Sequence, residues 1–176
     1  MSENKIRPRI SLKLMVIVAI LTAAQIVLSR FLSVALWNTK IGFGFVPVML
    51  AGVLFGPLAG ALVGGLSDLI GALLFPIGPY FPGFTLTAAL TGAMFGWVLH
   101  KRHSFARVCG VVLFNQLVLG LLVNSFWISV LYGSPYFGLL LSRLVQYAIL
   151  VPVEVIVTWL LLRVLSPLKH QINWNY

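Results

Sequence analysis

Arg30, Asp68, Arg143 and Glu154 lie inside, or at the lip of, long apolar runs, whereas nearly every other charge falls in a short polar connector. An ionisable group in hydrocarbon is costly, so such a residue marks a functional site by default. Asp68 follows Pro57 by eleven positions, about 16 Å at the helical rise, which is near mid-depth of a bilayer. A carboxylate there accepts paired hydrogen bonds from a ligand, or it closes a structural ion pair with an arginine such as Arg143. Arg143, Tyr147, Leu150 and Glu154 follow helical spacing and share one face. Arg143 falls near the outer end of its run; Glu154 lies deeper, where a structural role is expected of it. Arg30 is near the outer end of the first run, and both arginines can alternatively snorkel to the interface. Two arginines near one membrane face, with an aspartate farther in, describe a pocket for a ligand carrying anionic groups and hydrogen-bond donors.

The other polar residues of the apolar runs extend this picture. Asn124 and Trp127 stand three apart near an outer end, so they can present an amide and an aromatic wall to one pocket. Asn115 and Gln116 suit hydrogen bonding between helices. Trp37, Phe43, Tyr80, Phe81 and Phe84 add aromatics on the same side, where an interfacial belt is the alternative use. Lys40 is the one basic residue of the outer connectors. Ala19 and Ala23 are small residues one turn apart in the first run, a spacing that lets another helix approach closely.

Composition sets the class. Of 176 residues, 60% are hydrophobic and 9% charged, and the mean hydropathy is +1.04. Soluble domains carry about 25% charged residues, so this is a membrane protein, read as one domain over 1–176. The net charge of +9 does not point to nucleic acid, because the basic residues flank apolar segments as topology signals do. There is no Walker A motif for ATP, no HExxH, no nucleophile elbow and no clustered His/Cys set for a metal. An intramembrane acid pair of Asp68 and Glu154 is the remaining enzymatic reading, and no motif supports it. Cys109 alone excludes an internal disulfide.

Six spans are expected, at about 11–32, 43–55, 58–75, 84–99, 108–131 and 136–165. Gly56-Pro57 splits the second from the third, and the Pro76–Gly83 stretch cannot form a regular helix. The basic start followed by Leu14–Leu28 superficially matches a signal peptide, but the apolar run continues through Phe31 without a cleavage site, so a retained first span is expected. Lys5, Arg7, Arg9, Lys13, Lys101, Arg102, Arg107, Arg163 and Lys169 then fall on one face, with only Lys40 in the opposite connectors. The positive-inside rule makes that face, and both termini, cytoplasmic.

With these residues in view, the chain resembles the substrate-binding S components of energy-coupling factor (ECF) vitamin transporters, most closely the folate-specific family. The cues are Ala19-xxx-Ala23, the Ile41–Pro47 entry to the second span, Leu54-Phe55-Gly56-Pro57, and above all Ser67–Pro76 running into Gly78–Thr85. The resemblance covers essentially the whole chain. It implies a six-helix, all-α membrane protein of a bacterial plasma membrane that captures folate outside the cell, with no cofactor and no catalysis of its own. It further implies a transmembrane coupling subunit, docked on Ala19 and Ala23, and two cytoplasmic ATPases. Folate suits the residues: its pterin donors can pair with Asp68, its rings with aromatic walls, and its glutamate carboxylates with Arg30, Arg143 or Lys40. An S component for riboflavin, thiamine or a related vitamin, and a self-sufficient proton-coupled carrier, are the rival readings.

Overall fold

Proline and glycine set the helix boundaries. The structure, a computed structural model, describes residues 12–35 and 40–171, without the side chains at 34–35, 40–41 and 166–171. In order come α1 (Leu12–Arg30), a short antiparallel pair β1 (Val34–Ala35) and β2 (Lys40–Ile41), α2 (Phe45–Phe55), α3 (Pro57–Leu74) and α4 (Pro82–Leu99). Then follow α5 (Phe105–Leu113), a π-helical segment (Phe114–Val123), α6 (Asn124–Tyr132) and α7 (Tyr136–Gln171). In the β pair Val34 faces Ile41 and Ala35 faces Lys40. Gly56 joins α2 to α3 at φ 94°, a region that side chains other than glycine's rarely allow. Pro57 and Pro82 open α3 and α4 in the first turn, where a missing N–H removes no helical bond.

The all-helical class and the placement of the spans agree with the sequence reading. Five helical stretches are long and apolar enough to cross a membrane: Leu12–Arg30, Pro57–Leu74, Pro82–Leu99, Phe105–Tyr132 and Tyr136–Leu165. The second expected span is short: α2 has 11 residues, about 16 Å of helix against a hydrocarbon core of about 30 Å. Large apolar side chains such as Leu62, Trp97, Leu141 and Ile156 point outward, as a surface solvated by lipid tails requires.

Packing divides the chain into two sets. α1, α2, α3 and α4 pack on one another; α5, the π segment, α6 and α7 do likewise, and α4 joins the sets through α5, the π segment and α6. The tightest contact is between α3 and α4. A Cβ at Gly60 would collide with the Gly92 carbonyl, one at Gly92 with the Gly60 carbonyl, and one at Gly64 with the Ala88 carbonyl. At Gly96 a Cβ would lie 2.5 Å from the Pro57 Cα, and at Gly52 2.7 Å from the Gly96 nitrogen. Helices in lipid associate through such close van der Waals fit. The sequence reading singled out Ala19 and Ala23 for this geometry and passed over the glycines. Met49 and Val53 of α2 fill the space beside the stripe, in a cluster with Phe95, Leu99, Val108, Val111, Val112, Val155 and Leu162.

Gly92→Ala should therefore destabilise the folded chain by about 1–3 kcal/mol, the usual cost of overpacking. Thermal unfolding in detergent measures it; an unchanged transition would show that the two backbones separate freely.

Candidate ligand site between the two helical sets

A cavity of about 280 Å³ lies where the two sets meet. On one side stands α1, with Gln25, Ser29 and Ser33 on a single stripe. The Ser29 hydroxyl donates to Gln25 Oε1 at 3.1 Å and the Ser33 hydroxyl to the Ser29 carbonyl at 2.5 Å. The connector into α2 lies against this stripe. A Cβ at Gly42 would fall 2.6 Å from Ser33 Cβ, and one at Gly44 3.1 Å from Ser29 Cβ. Gly42, Gly44 and Phe45 complete that wall.

The facing wall is α7. Arg143, Gln146, Tyr147, Leu150 and Glu154 all line the cavity, so the helical face read from the sequence is the one turned inward. Arg143 is only 6% exposed. Its Nη1 donates to Ser125 Oγ at 2.9 Å and its Nη2 to the Tyr147 hydroxyl at 3.0 Å. The guanidinium carbon lies 5.4 Å from the Tyr147 ring centre, and Nε is buried without a partner among the described residues. Gly120 makes room for Tyr147: a Cβ there would lie 2.8 Å from its hydroxyl. Among the described residues, the hydrogen-bond partners of Arg143 are thus neutral hydroxyls. A buried charge without a counter-charge is unfavourable, so this end of the cavity favours an anionic group.

The π segment and α6 form a third wall. Its wider turn, a feature frequent at functional sites, carries Asn115, Gln116 and Gly120, with Asn124 following. Asn115 Nδ2 donates to the Thr91 carbonyl at 3.3 Å, and Gln116 Nε2 donates to Glu154 Oε2. Expected only to join helices, Asn115, Gln116 and Glu154 do so at the edge of the cavity.

Of the residues expected to form the pocket, Asn124 and Arg143 line it. Asp68 does not. Its carboxylate accepts from Thr85 Oγ1 at 2.8 Å, between α3 and α4, with the Tyr80 hydroxyl 3.3 Å from the same Oγ1. Arg30 turns toward α3, its Nε 2.9 Å from where a Gly71 Cβ would stand. One residue is about 100° of helix, and Ser29 takes the cavity face. Trp127 Nε1 donates to Thr87 Oγ1 at 3.1 Å, and its ring packs 5.4 Å from Phe81, itself 6.2 Å from Phe84. These aromatics bind α6 to the start of α4. Phe43 is 51% exposed and packs on Phe45, the ring that reaches the cavity. Trp37 and the Lys40 side chain lie outside the described residues. The sequence reading missed Gln25, Ser29 and Ser33, although polar residues at every fourth position of an apolar helix signal a shared polar face. It also missed Thr91 and Gln146. Ala19 and Ala23 are exposed and line a separate apolar groove of about 550 Å³ between α1 and α3.

A family profile described as "ECF-type riboflavin transporter, S component" matches residues 9–167. The chain belongs to the ECF-type S-component family. The S component is 38% identical to the "Folate transporter FolT" of Clostridium novyi (strain NT), over 82% of this chain and 85% of that protein. It is 28% identical to the "Folate transporter FolT" of Leuconostoc mesenteroides subsp. mesenteroides, over 88% and 87%. Its fold matches a crystal structure of FolT bound with folic acid at a TM-score of 0.81 and 34% identity, covering 86% of this chain and 93% of that one. It is accordingly a multi-pass membrane component of a transporter rather than an enzyme.

Tyr147→Phe in this S component removes the hydroxyl that accepts from Arg143. Leaving a buried charged donor unsatisfied costs about 1–3 kcal/mol, so its thermal transition in detergent should fall. An unchanged transition would mean that Arg143 finds another acceptor.

Proposed function

We propose that this S component captures folate from outside a bacterial cell, in the cavity between α1 and α7, and delivers it through a transmembrane coupling subunit driven by two ATPases. The observation that carries the reading is Arg143: a buried guanidinium held by neutral hydroxyls beside a cavity, in a chain related to folate transporters. Folate brings the carboxylates that this charge lacks. Riboflavin, named by the family profile, brings none, and the uncompensated charge favours folate over it. Of the residues expected from the sequence, Arg143 and Asn124 serve as direct contacts to the glutamate tail. Arg30 and Phe43 are assigned to the outer rim, and Trp37 and Lys40 stay with them as candidates from the sequence alone. Asp68, Tyr80, Phe84 and Trp127 hold α4 against α3 and α6 and so shape the cavity from behind.

The apolar groove at Ala19 and Ala23 serves as the docking face for the coupling subunit, since it presents small side chains on the outside of the molecule, where another helix can approach closely. The basic residues toward both ends of the sequence and between α4 and α5 support cytoplasmic termini by the positive-inside rule, and with them an outward Ser33–Gly42 end of the cavity.

Calorimetry of the purified chain should show folate binding without ATP or partners, and weaker binding of riboflavin; the reverse order would reject the substrate assignment. Arg143→Gln should weaken folate by roughly 1.5–3 kcal/mol, the worth of a charge-assisted hydrogen bond, and hardly affect 6-hydroxymethylpterin, which carries no carboxylate. Equal losses for both ligands would remove Arg143 from the tail.

Ala19→Leu or Ala23→Leu should leave folate titration intact while abolishing co-purification with the coupling subunit and uptake by cells. Normal uptake in both variants would reject the groove as the docking face.

A further inference from the structure

Outside the cavity, the start of α5 meets the last turns of the α7 span. The Phe105 ring stands edge-on to Trp159, centroids 5.4 Å apart, and Trp159 packs on the cluster around Phe95 and Leu99. One turn on, the Arg163 guanidinium carbon lies 5.2 Å from the Trp159 ring centre. An indole face holds a guanidinium electrostatically, so this exposed cation has a fixed seat. The apolar span Tyr136–Leu165 has 30 residues, about 45 Å of helix, against a hydrocarbon core of about 30 Å, or about 40–45 Å with the headgroup layers. Arg163, two residues before the end of that span, therefore lies among headgroups. Leu160, Ile156, Val153 and Ile149, all exposed, step back from it at intervals of three, four, three and four, which keeps them on one face of α7. Lys101, Arg102 and Arg107, also exposed, stand within four residues of Phe105. The acids among the described residues are elsewhere. Asp68 is engaged by Thr85 in the first turn of α4. Glu154 is engaged by Gln116 and precedes Arg163 by nine positions, about 14 Å along the helix.

We propose that Arg163, seated on Trp159, binds the phosphodiester of an anionic phospholipid whose acyl chain lies along the stripe from Leu160 to Ile149. A guanidinium offers a planar fork of donors that matches phosphate geometry. Lys101, Arg102 and Arg107 add attraction for a headgroup of net negative charge, which a zwitterionic lipid lacks. An acidic protein face would meet the cation but not a stripe that runs toward mid-membrane. A lipid supplies the anion and the chain in one molecule. The site does not rest on the folate reading. It stands on α5 and α7, whereas the groove proposed for the coupling subunit lies between α1 and α3.

The test offers the purified full chain, in mixed detergent micelles, equal amounts of dioleoyl phosphatidylglycerol and dioleoyl phosphatidylcholine, and counts the lipids retained by native mass spectrometry. Wild type should retain the anionic lipid in excess by roughly fivefold, the worth of one basic residue near an anionic surface expressed as a ratio. R163Q should bring the ratio close to one. R163K should lower it too, because an ammonium keeps the charge without the planar fork. K13Q removes an exposed lysine at the start of α1 and should leave the ratio unchanged. A ratio is insensitive to general loosening of the fold, and if R163Q does not fold, R163K is read alone. No preference in wild type, an undiminished ratio in R163Q or R163K, or an equal fall in K13Q overturns the site in favour of diffuse attraction. Displacement of the lipid by inorganic phosphate would assign Arg163 to soluble anions instead. Loss of co-purification with the coupling subunit in R163Q, with the lipid ratio kept, would make the patch a protein interface and likewise overturn the proposal.

Discussion

The approach of α3 to α4 at Gly60 and Gly92 is the contact on which the other helices depend. Hydrocarbon gives no hydrophobic push between apolar helices, so the fold needs surfaces that meet more closely with each other than with lipid. Backbone against backbone, without intervening side chains, is the closest such meeting. It makes a thin, stiff pair on which α1 and α2 rest from one side and the C-terminal helices from the other. α2 can then be short, because its Met49 and Val53 are held by the cluster around Phe95 and Leu99 rather than by spanning length. The depth that α2 does not cross is occupied by the connector carrying Gly42 and Gly44. Irregular backbone is tolerated at membrane depth only where protein or a polar cavity covers it, and here both do.

The cavity is built from polar side chains that satisfy one another only in part. On α1, serine hydroxyls close onto Gln25 and the helix's own carbonyl. On α7, a guanidinium rests on two hydroxyls, and an acid rests on an amide. In a low-dielectric interior such groups interact strongly with whatever enters. The cavity is formed by the chain's own side chains, in a sequence without a nucleotide motif.

The sequence displayed the helices clearly because Gly56-Pro57, Pro76–Gly83 and Gly133–Pro135 interrupt otherwise continuous apolar runs. It displayed the inward face of α7 for the same reason: Arg143, Tyr147, Leu150 and Glu154 keep helical spacing. The α3–α4 stripe was there to be read in Gly60, Gly64, Gly92 and Gly96, but glycines are so frequent in membrane helices that spacing alone does not say which of them meet. Asp68 stands outside the residues that line the cavity. A carboxylate at mid-depth must have a partner, yet that partner proved to be the Thr85 hydroxyl on the adjacent helix. Arg30 and Ser29 differ by one position, and only the rotation of α1 against α3 decides which of them meets the cavity. The π segment has no clear sign in composition, because widening a helix costs one extra residue and no particular residue type.

That extra residue has a bearing on how such chains can diverge. A helix winds through about 100° per residue, so restoring ordinary winding between Phe114 and Val123 without removing the extra residue would swing α6 by nearly a third of a turn. Ser125 would leave Arg143, and Asn124 would leave the cavity, although neither had been substituted. The spacing between Gln116 and Asn124 is therefore itself under constraint. Gaps in this stretch between otherwise similar chains carry more information about the cavity than the identities of the leucines and valines that fill it.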